Sequence, residues 1–437
     1  MRFHTDVNYY FPTRYQRGPN LVAWLAILAL FTSAFIKLWT PSSVNRWPEA
    51  IFTLLFLYPL VTNWAELCKH RFIQLWLLAI VAPLVFFGIN YLTDSEIAVQ
   101  FSKFDVLARI YLFIPVAWWL GANKRTIALF LLVGFVGLLF GCLQDPNLGR
   151  TVTLLFNGQR IDFNLLNAQH VALFFSISII GALAALNYAT AFSGKARLLY
   201  IALMLAILIV SMLVLFGTQT RAAFLGLLFC ALYLFANVII KLIRKPEHQT
   251  RNIIVTIVVF LILASTLLHA NHKNIDRFKY ENETLSAIMN RDWDNIPYSS
   301  IGIRINTWFA ALEWIEQKPL IGHGGGVRQY IIHSSAKLPE HIKKQFGHFH
   351  NSFIELTLSY GLLGLILALY PLANLLVKAR QHNSFVETFT FFSLCLFIVM
   401  NFFESYLFFW MGPFILFFIA APMLSQSFRV DKNEHIN

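Results

Sequence analysis

The chain is laid out as long apolar runs separated by short polar stretches, and the runs are continuous instead of alternating residue by residue. Continuous runs of this length predict helices, because barrel strands would show a period of two. A hydrocarbon core of ~30 Å takes about 20 apolar residues in a helix, and backbone in lipid must satisfy its own hydrogen bonds. Twelve spans are predicted, at 21–39, 50–65, 72–92, 104–120, 126–143, 167–187, 197–216, 222–240, 252–269, 351–377, 385–402 and 405–424. The second is short, and only the acidic Phe403-Glu404 link divides the last two. The expected fold is therefore an all-α polytopic membrane protein. Residues 1–437 form a single membrane domain without internal repeats, carrying one large loop at 270–350.

Loop charges orient this array. Cytoplasmic loops collect Lys and Arg, and the bias is counted over short loops only. One set of alternate loops holds 17 Lys and Arg, among them Lys69, Arg71, Lys241, Arg244 and Arg380. The opposite set holds 5, namely Arg46, Lys103, Arg150, Arg160 and Arg221. Both termini are thus expected in the cytoplasm, and loop 270–350 on the outer side. Segments longer than about 60 residues cross regardless of charge, so that loop was left out of the count.

Composition agrees with a lipid environment, since 57% of residues are hydrophobic and 13% charged, against about 25% charged in soluble domains. The formal net charge of +12 does not imply nucleic acid, because basic residues between apolar helices are ordinary topology signals. The four cysteines show no paired spacing for a metal site or a disulfide framework. Thr32-Ser33-Ala34 is weakly cleavage-like, but the many spans that follow make the first run an uncleaved signal anchor.

Three features are expected on the outer face. The first is Thr218-Gln219-Thr220-Arg221, between two spans, where Thr218 or Thr220 can cap the next helix and Arg221 stands at a helix end that favours anions. Arginine beside an apolar bundle is costly, which points to a functional partner, although an interfacial snorkelling arginine is the plain alternative. The second is Arg304, opening an amphipathic stretch with Ile305, Trp308, Phe309, Leu312 and Ile315 on one face. That helix is expected to lie at the membrane interface or to cap the bundle, and Arg304 could simply pair with Glu313 or a lipid phosphate. The third is Gly347-His348-Phe349-His350-Asn351-Ser352, running into the tenth span. There the positive helix end should keep His350 neutral, as a general base requires. The two histidines could instead ligate a metal, but nothing acidic or thiol lies beside them in sequence, so no metal or other cofactor is expected. Pro319 ends the amphipathic helix, and the glycines from Gly322 to Gly326 make either a tight turn or a close backbone approach to phosphate.

Two arginines can clamp a diphosphate through bidentate, charge-assisted hydrogen bonds, and a histidine can deprotonate an acceptor hydroxyl. Together they describe group transfer from a lipid diphosphate.

At this point the residues resemble a known family. Thr218-x-Thr220-Arg221 opens a span, and Arg304 is followed by Trp308. Lys318-Pro319-Leu320-Ile321-Gly322-His323-Gly324 comes next, and then His350-Asn351-Ser352-Phe353 leads into Ser359-Tyr360-Gly361-Leu362-Leu363-Gly364-Leu365. Asn167-Ala168 matches a further short motif. The order and spacing are similar to the O-antigen ligase / Wzy polymerase superfamily over roughly residues 150–370, with Thr220 where serine is commoner. The resemblance implies an inverting, metal-independent glycosyltransferase in the bacterial inner membrane, with a periplasmic active site. It implies undecaprenyl-diphosphate-linked glycan as donor, lipid A–core as acceptor, and membrane lipids as surroundings. Arg221 and Arg304 would hold the diphosphate and His350 would be the base. His348, Asn351, Gly322, Gly324 and Arg160 would take secondary substrate contacts. The ligase is preferred over an O-antigen polymerase or a protein O-oligosaccharyltransferase on the single late loop and the chain length. A lipid-linked sugar transporter is disfavoured, since Lys37 and Arg109 are the only basic residues within spans apart from Arg197 at the first position of one.

Overall fold

The computed structural model describes residues 19–244 and 275–428. Among these residues all regular structure is helical. The principal helices are α1 (Asn20–Ile36), α2 (Ser42–Thr62), α3 (Arg71–Thr93), α4 (Asp105–Ile110), α5 (Phe113–Leu120), α6 (Lys124–Leu143), α7 (Ala168–Leu186), α8 (Gly194–Thr218) and α9 (Arg221–Arg244). After the ninth expected span, 252–269, which lies outside the described residues, come α10 (Ile275–Met289), α11 (Ser300–Gln317), α12 (Val327–Ser334), α13 (Ser352–Ala379), α14 (Phe385–Asn401), α15 (Met411–Ile419) and α16 (Ala421–Ser425).

Five helices among the described residues are long and apolar enough to cross a membrane, namely α3, α6, α7, α8 and α13. A sixth crossing arises if the pair Met411–Ile419 and Ala421–Phe428, bent by 48°, is one span. The apolar parts of α1, α9 and α14 are shorter. Several expected spans are not continuous helices, 351–377 with its break at Gly361 among them. The run 104–120 divides at Tyr111-Leu112 into α4 and α5, and the run 405–424 begins with irregular backbone before α15. Both breaks lie inside protein, where other groups can satisfy the freed backbone. Every residue of α5 is fully buried, Tyr111 donates to Leu367 O and Trp119 to Phe52 O. At the other extreme α8 leaves most of its apolar side chains outward, as a helix facing lipid does.

The α13 helix is broken at Gly361, with φ 64° and ψ −171°. The break is bridged by the turn after α11: His323 N donates to Leu358 O, Gly324 N to Ser359 O, and Leu362 N to Pro319 O. Gly322 and Gly324 have positive φ, and a Cβ on Gly322 would come within 2.5 Å of the Ser359 carbonyl carbon. This glycine run makes its close approach to another helix's backbone, which strand-like pairing across the kink requires. It is not a turn left open for phosphate, since Gly322 and Gly324 donate their N–H groups to Lys318 O and Ser359 O.

The loop region packs as a cap over one end of the bundle. A small core of Ala310, Ala311, Val327, Ile331, Ile332, Leu338 and Phe349 sits against Phe101 and Leu358 of α13. Within α11 the buried stripe is Gly302, Thr307, Ala310 and Ala311, flanked by Trp308, Trp314 and Ile315, whereas Leu312 is exposed. The buried face is thus rotated from the one that side-chain size predicted, because small residues let the helix approach closely.

Candidate active site

The starts of α7, α9 and α13 and the ends of α8 and α14 meet at one end of the bundle. Thr220 Oγ1, at the α8–α9 turn, donates to Ala168 O at the start of α7. Tyr406, just past α14, donates to Gln169 O. Ser352, opening α13, donates to Glu404 O and accepts from Leu407 N. The Thr218–Arg221 turn and the His348–Ser352 segment therefore lie at the same end, with Glu404 beside the histidines.

The histidine segment is held in an unusual conformation. His350 has φ +52°, a left-handed backbone that a non-glycine residue adopts only when its surroundings impose it. Asn351 follows as the N-cap of α13, its Oδ1 accepting from Phe353 N and Ile354 N. Phe349 between the histidines is fixed twice, by donating to Glu355 Oε1 at 2.7 Å and by accepting from Trp308 Nε1 at 2.8 Å. The two rings lie with centroids 4.0 Å apart, tilted by 57°.

Both rings face one carboxylate. His348 Nε2 lies 3.1 Å and His350 Nδ1 3.3 Å from Glu404 Oε1, and Glu404 is fully buried. Burial alone would raise the Glu404 carboxyl, but the hydrogen bonds donated by the two histidines hold it well below the usual carboxylate range. A carboxylate only accepts, so the facing nitrogens carry the ring protons, and His350 Nε2 presents a lone pair. This corrects two expectations. The helix end is not alone in setting the histidines' electrostatics, and an acid does stand beside them, arriving from the α14–α15 link. One ligand atom from each of His348, His350 and Glu404 lies within 4.8 Å of the others, a donor set that could hold a metal ion.

A second buried acid ties the segment down. Glu355, in the first turn of α13, accepts from Phe349 N, from Ser405 Oγ at 2.6 Å and from Arg328 NH1 at 2.6 Å. The Arg328 guanidinium also lies 4.3 Å from the Phe408 ring centroid. Arg328, two residues past Gly326, adds a cation outside the sequence motifs.

Arg221 is tied to α10, and Arg304 to the first turn of its own helix, α11. Arg221 is the first residue of α9, where the helix end disfavours a cation, and it pairs with Glu281 of α10. Only one of its nitrogens makes that bond; no other Arg221 contact is seen among the described residues. Thr284, one turn along α10, shares a 2.7 Å hydrogen bond with Ser299, the N-cap of α11. Arg304 folds back to the adjacent Ser300, donating to its carbonyl at 2.9 Å and its hydroxyl at 3.2 Å. Its suggested partner Glu313 is paired with Lys337 instead. Neither threonine caps α9 with its hydroxyl: Thr218 Oγ1 donates to Leu215 O and Thr220 Oγ1 to Ala168 O.

Arg160 lies beside the same turn, since Ile161 N donates to Gly217 O and Gln219 Nε2 to Gly158 O. Gly322 and Gly324 stand apart from this cluster, against the α13 break and Phe101. The acids Glu355 and Glu404 carried one signal in sequence, carboxylates in or beside strongly apolar surroundings, where an unpaired charge is costly, whereas Glu281 lies among Lys279, Asn282 and Glu283 and carried none. Which histidine or arginine each would meet depended on contacts across the fold.

Residues 206–369 match the family model described as O-Antigen ligase. That stretch carries Arg221, Arg304, Arg328, both histidines and the break in α13, but stops short of Glu404. The chain is also 27% identical over 150 residues to an uncharacterised protein of Haemophilus influenzae (strain ATCC 51907 / DSM 11121 / KW20 / Rd). The alignment spans 33% of this chain and 37% of that relative.

Proposed function

Through residues 206–369 the chain belongs to the O-antigen ligase / Wzy superfamily, and from that premise we propose that it is an O-antigen ligase. In this reading it transfers a glycan from undecaprenyl diphosphate to lipid A–core at the periplasmic face of the bacterial inner membrane. The observation that supports the proposal is a carboxylate-oriented histidine pair at the same end of an apolar helix bundle as the turn that carries Arg221, the two joined through the start of α7.

The chemistry follows from those groups. An acceptor hydroxyl attacks the anomeric carbon of the donor's first sugar from the face opposite the diphosphate. The oxygen–carbon bond forms as the carbon–phosphate oxygen bond breaks, inverting the configuration. His350 Nε2 takes the hydroxyl proton, while Glu404 holds Nδ1–H and steadies the imidazolium that results. The leaving diphosphate needs no proton, because Arg221 and Arg304 bind it more tightly as its charge grows. Glu281 orients Arg221 through one nitrogen and leaves its other donors to the ligand. Arg304 reaches the diphosphate by exchanging its bonds to Ser300 for phosphate oxygens. No step calls for a metal.

Purified protein supplied with undecaprenyl-diphosphate glycan and lipid A–core should form conjugate. Arg221→Lys should lose most of that activity despite keeping its charge, since an ammonium cannot make the bidentate fork. Near-wild-type transfer by the lysine variant would sink the clamp. A deletion strain that accumulates lipid-linked polymer and lacks all O-chains identifies the ligase, whereas core bearing one repeat identifies a polymerase.

A further inference from the structure

His170, in the first turn of α7, belongs to none of the groups used above. Asn167 caps this helix, its Oδ1 accepting from Gln169 N at 2.9 Å and His170 N at 3.1 Å. The same oxygen lies 2.8 Å from His170 Nδ1. Backbone donors on that oxygen identify it as the carbonyl of the amide, which can only accept, so Nδ1 carries the ring proton. The other nitrogen, Nε2, is left with a lone pair. It is buried and has no partner among the described residues, on a side chain only 3% exposed. The neighbouring Gln169 Oε1 is likewise buried without a partner among them. Buried acceptors are almost always satisfied, so two adjacent unsatisfied ones ask for a donor from beyond the described residues, as a bound substrate supplies.

Their position says which donor. Ala168 and Gln169 tie this turn to Thr220 on one side and Tyr406 on the other. The His170 ring packs edge-on against Tyr406 at 5.0 Å and Phe409 at 5.9 Å, and Phe409 also meets the His348 ring at 5.4 Å. The ring therefore stands between the Arg221 turn and the histidine pair. A diphosphate only accepts hydrogen bonds and cannot satisfy a lone pair, whereas a carbohydrate hydroxyl can.

We propose that His170 Nε2 accepts a hydrogen bond from a hydroxyl of the sugar lying between the diphosphate clamp and the base. This assignment rests on the glycan-transfer reading. His170 is then a substrate-positioning residue, and the hydroxyl belongs either to the donor's first sugar or to the acceptor sugar.

His170→Phe keeps the ring and its aromatic contacts but removes both nitrogens, and His170→Gln restores an acceptor near Nε2. In the purified transfer assay the phenylalanine variant should lose about tenfold in kcat/KM, the worth of one hydrogen bond, with an unchanged melting temperature. The glutamine variant should recover part of the loss. A donor lacking one hydroxyl on its first sugar should cost wild type the same factor and cost His170→Phe nothing further. If a deoxy acceptor shows that pattern instead, the hydroxyl is the acceptor's.

Should His170→Phe melt early, the cycle is run with His170→Asn, which keeps a donor near Nδ1 and has no atom at Nε2. Wild-type kcat/KM in the variant, or deoxy losses identical in wild type and variant for every analogue, overturns the assignment. Failure of the transfer reading shows separately, as wild-type protein that makes no conjugate. Equilibrium binding of undecaprenyl-diphosphate glycan and of lipid A–core, measured in parallel, then decides: about tenfold weaker binding of either by His170→Phe upholds the contact, and equal binding of both overturns it.

Discussion

Both rings of the His348–His350 pair turn a nitrogen toward the buried Glu404, so the two are distinguished by which free nitrogen remains. For His350 it is Nε2, on the outer edge of the ring, and the left-handed backbone at this residue is the local strain that aims it. His350→Ala should abolish glycan transfer while His348→Ala retains it, and wild-type transfer should persist in excess EDTA. The reverse mutant pattern reassigns the base, and loss of activity on chelation converts the triad into a metal site. Nearby, His323 donates through Nε2 to Trp314 O at 2.7 Å. Burial, and secondarily Lys318, lower its pKa below the ordinary 6.5, against the opposing pull of the Trp314 carbonyl. The unfolded chain therefore takes up that proton first, so this contribution to stability is full above about pH 6.5 and falls as the solution is acidified. Melting temperatures of His323→Gln should vary less with pH across about pH 5–7 than those of wild type; parallel profiles would remove His323 from the account.

At the scale of elements, the broken α13 explains why a glycine-rich turn and a glycine within an apolar run occur in one chain. Gly361 frees backbone groups in the middle of a helix, and the turn from Pro319 to Gly324 pairs with them. A Cβ at Gly361 would approach the Leu320 carbonyl carbon to 2.0 Å, in a backbone region that side chains avoid. Gly361→Ala should thus cost at least about 2 kcal/mol, from strain and overpacking together. Thermal melting in detergent measures it, and an unchanged melting temperature would mean that the turn and helix can separate without loss. Sequence alone located both glycine segments. It could not show that they answer each other, because a partner for backbone N–H and C=O groups leaves no mark in side-chain identity.

For the whole molecule, the apolar runs and loop charges predict that α11 and α12 lie outside the inner membrane. In a background without the four native cysteines, Ala336→Cys should react with a membrane-impermeant maleimide in intact spheroplasts. Lys195→Cys, in the first turn of α8, should react only after permeabilisation, and the opposite result would invert the topology. What the sequence determined by itself was everything that depends on short range: helices as the only regular structure, because apolar continuity and backbone satisfaction leave no other choice in lipid, and the residues Arg221, Arg304 and His350 as candidates. Tertiary structure alone decided that Glu281 faces Arg221, that Glu404 serves both histidines, and that His170 stands between them. Those pairings join residues 54 to 60 positions apart or more. A charge or lone pair in an apolar medium must be satisfied by something, and only the folded arrangement says by what.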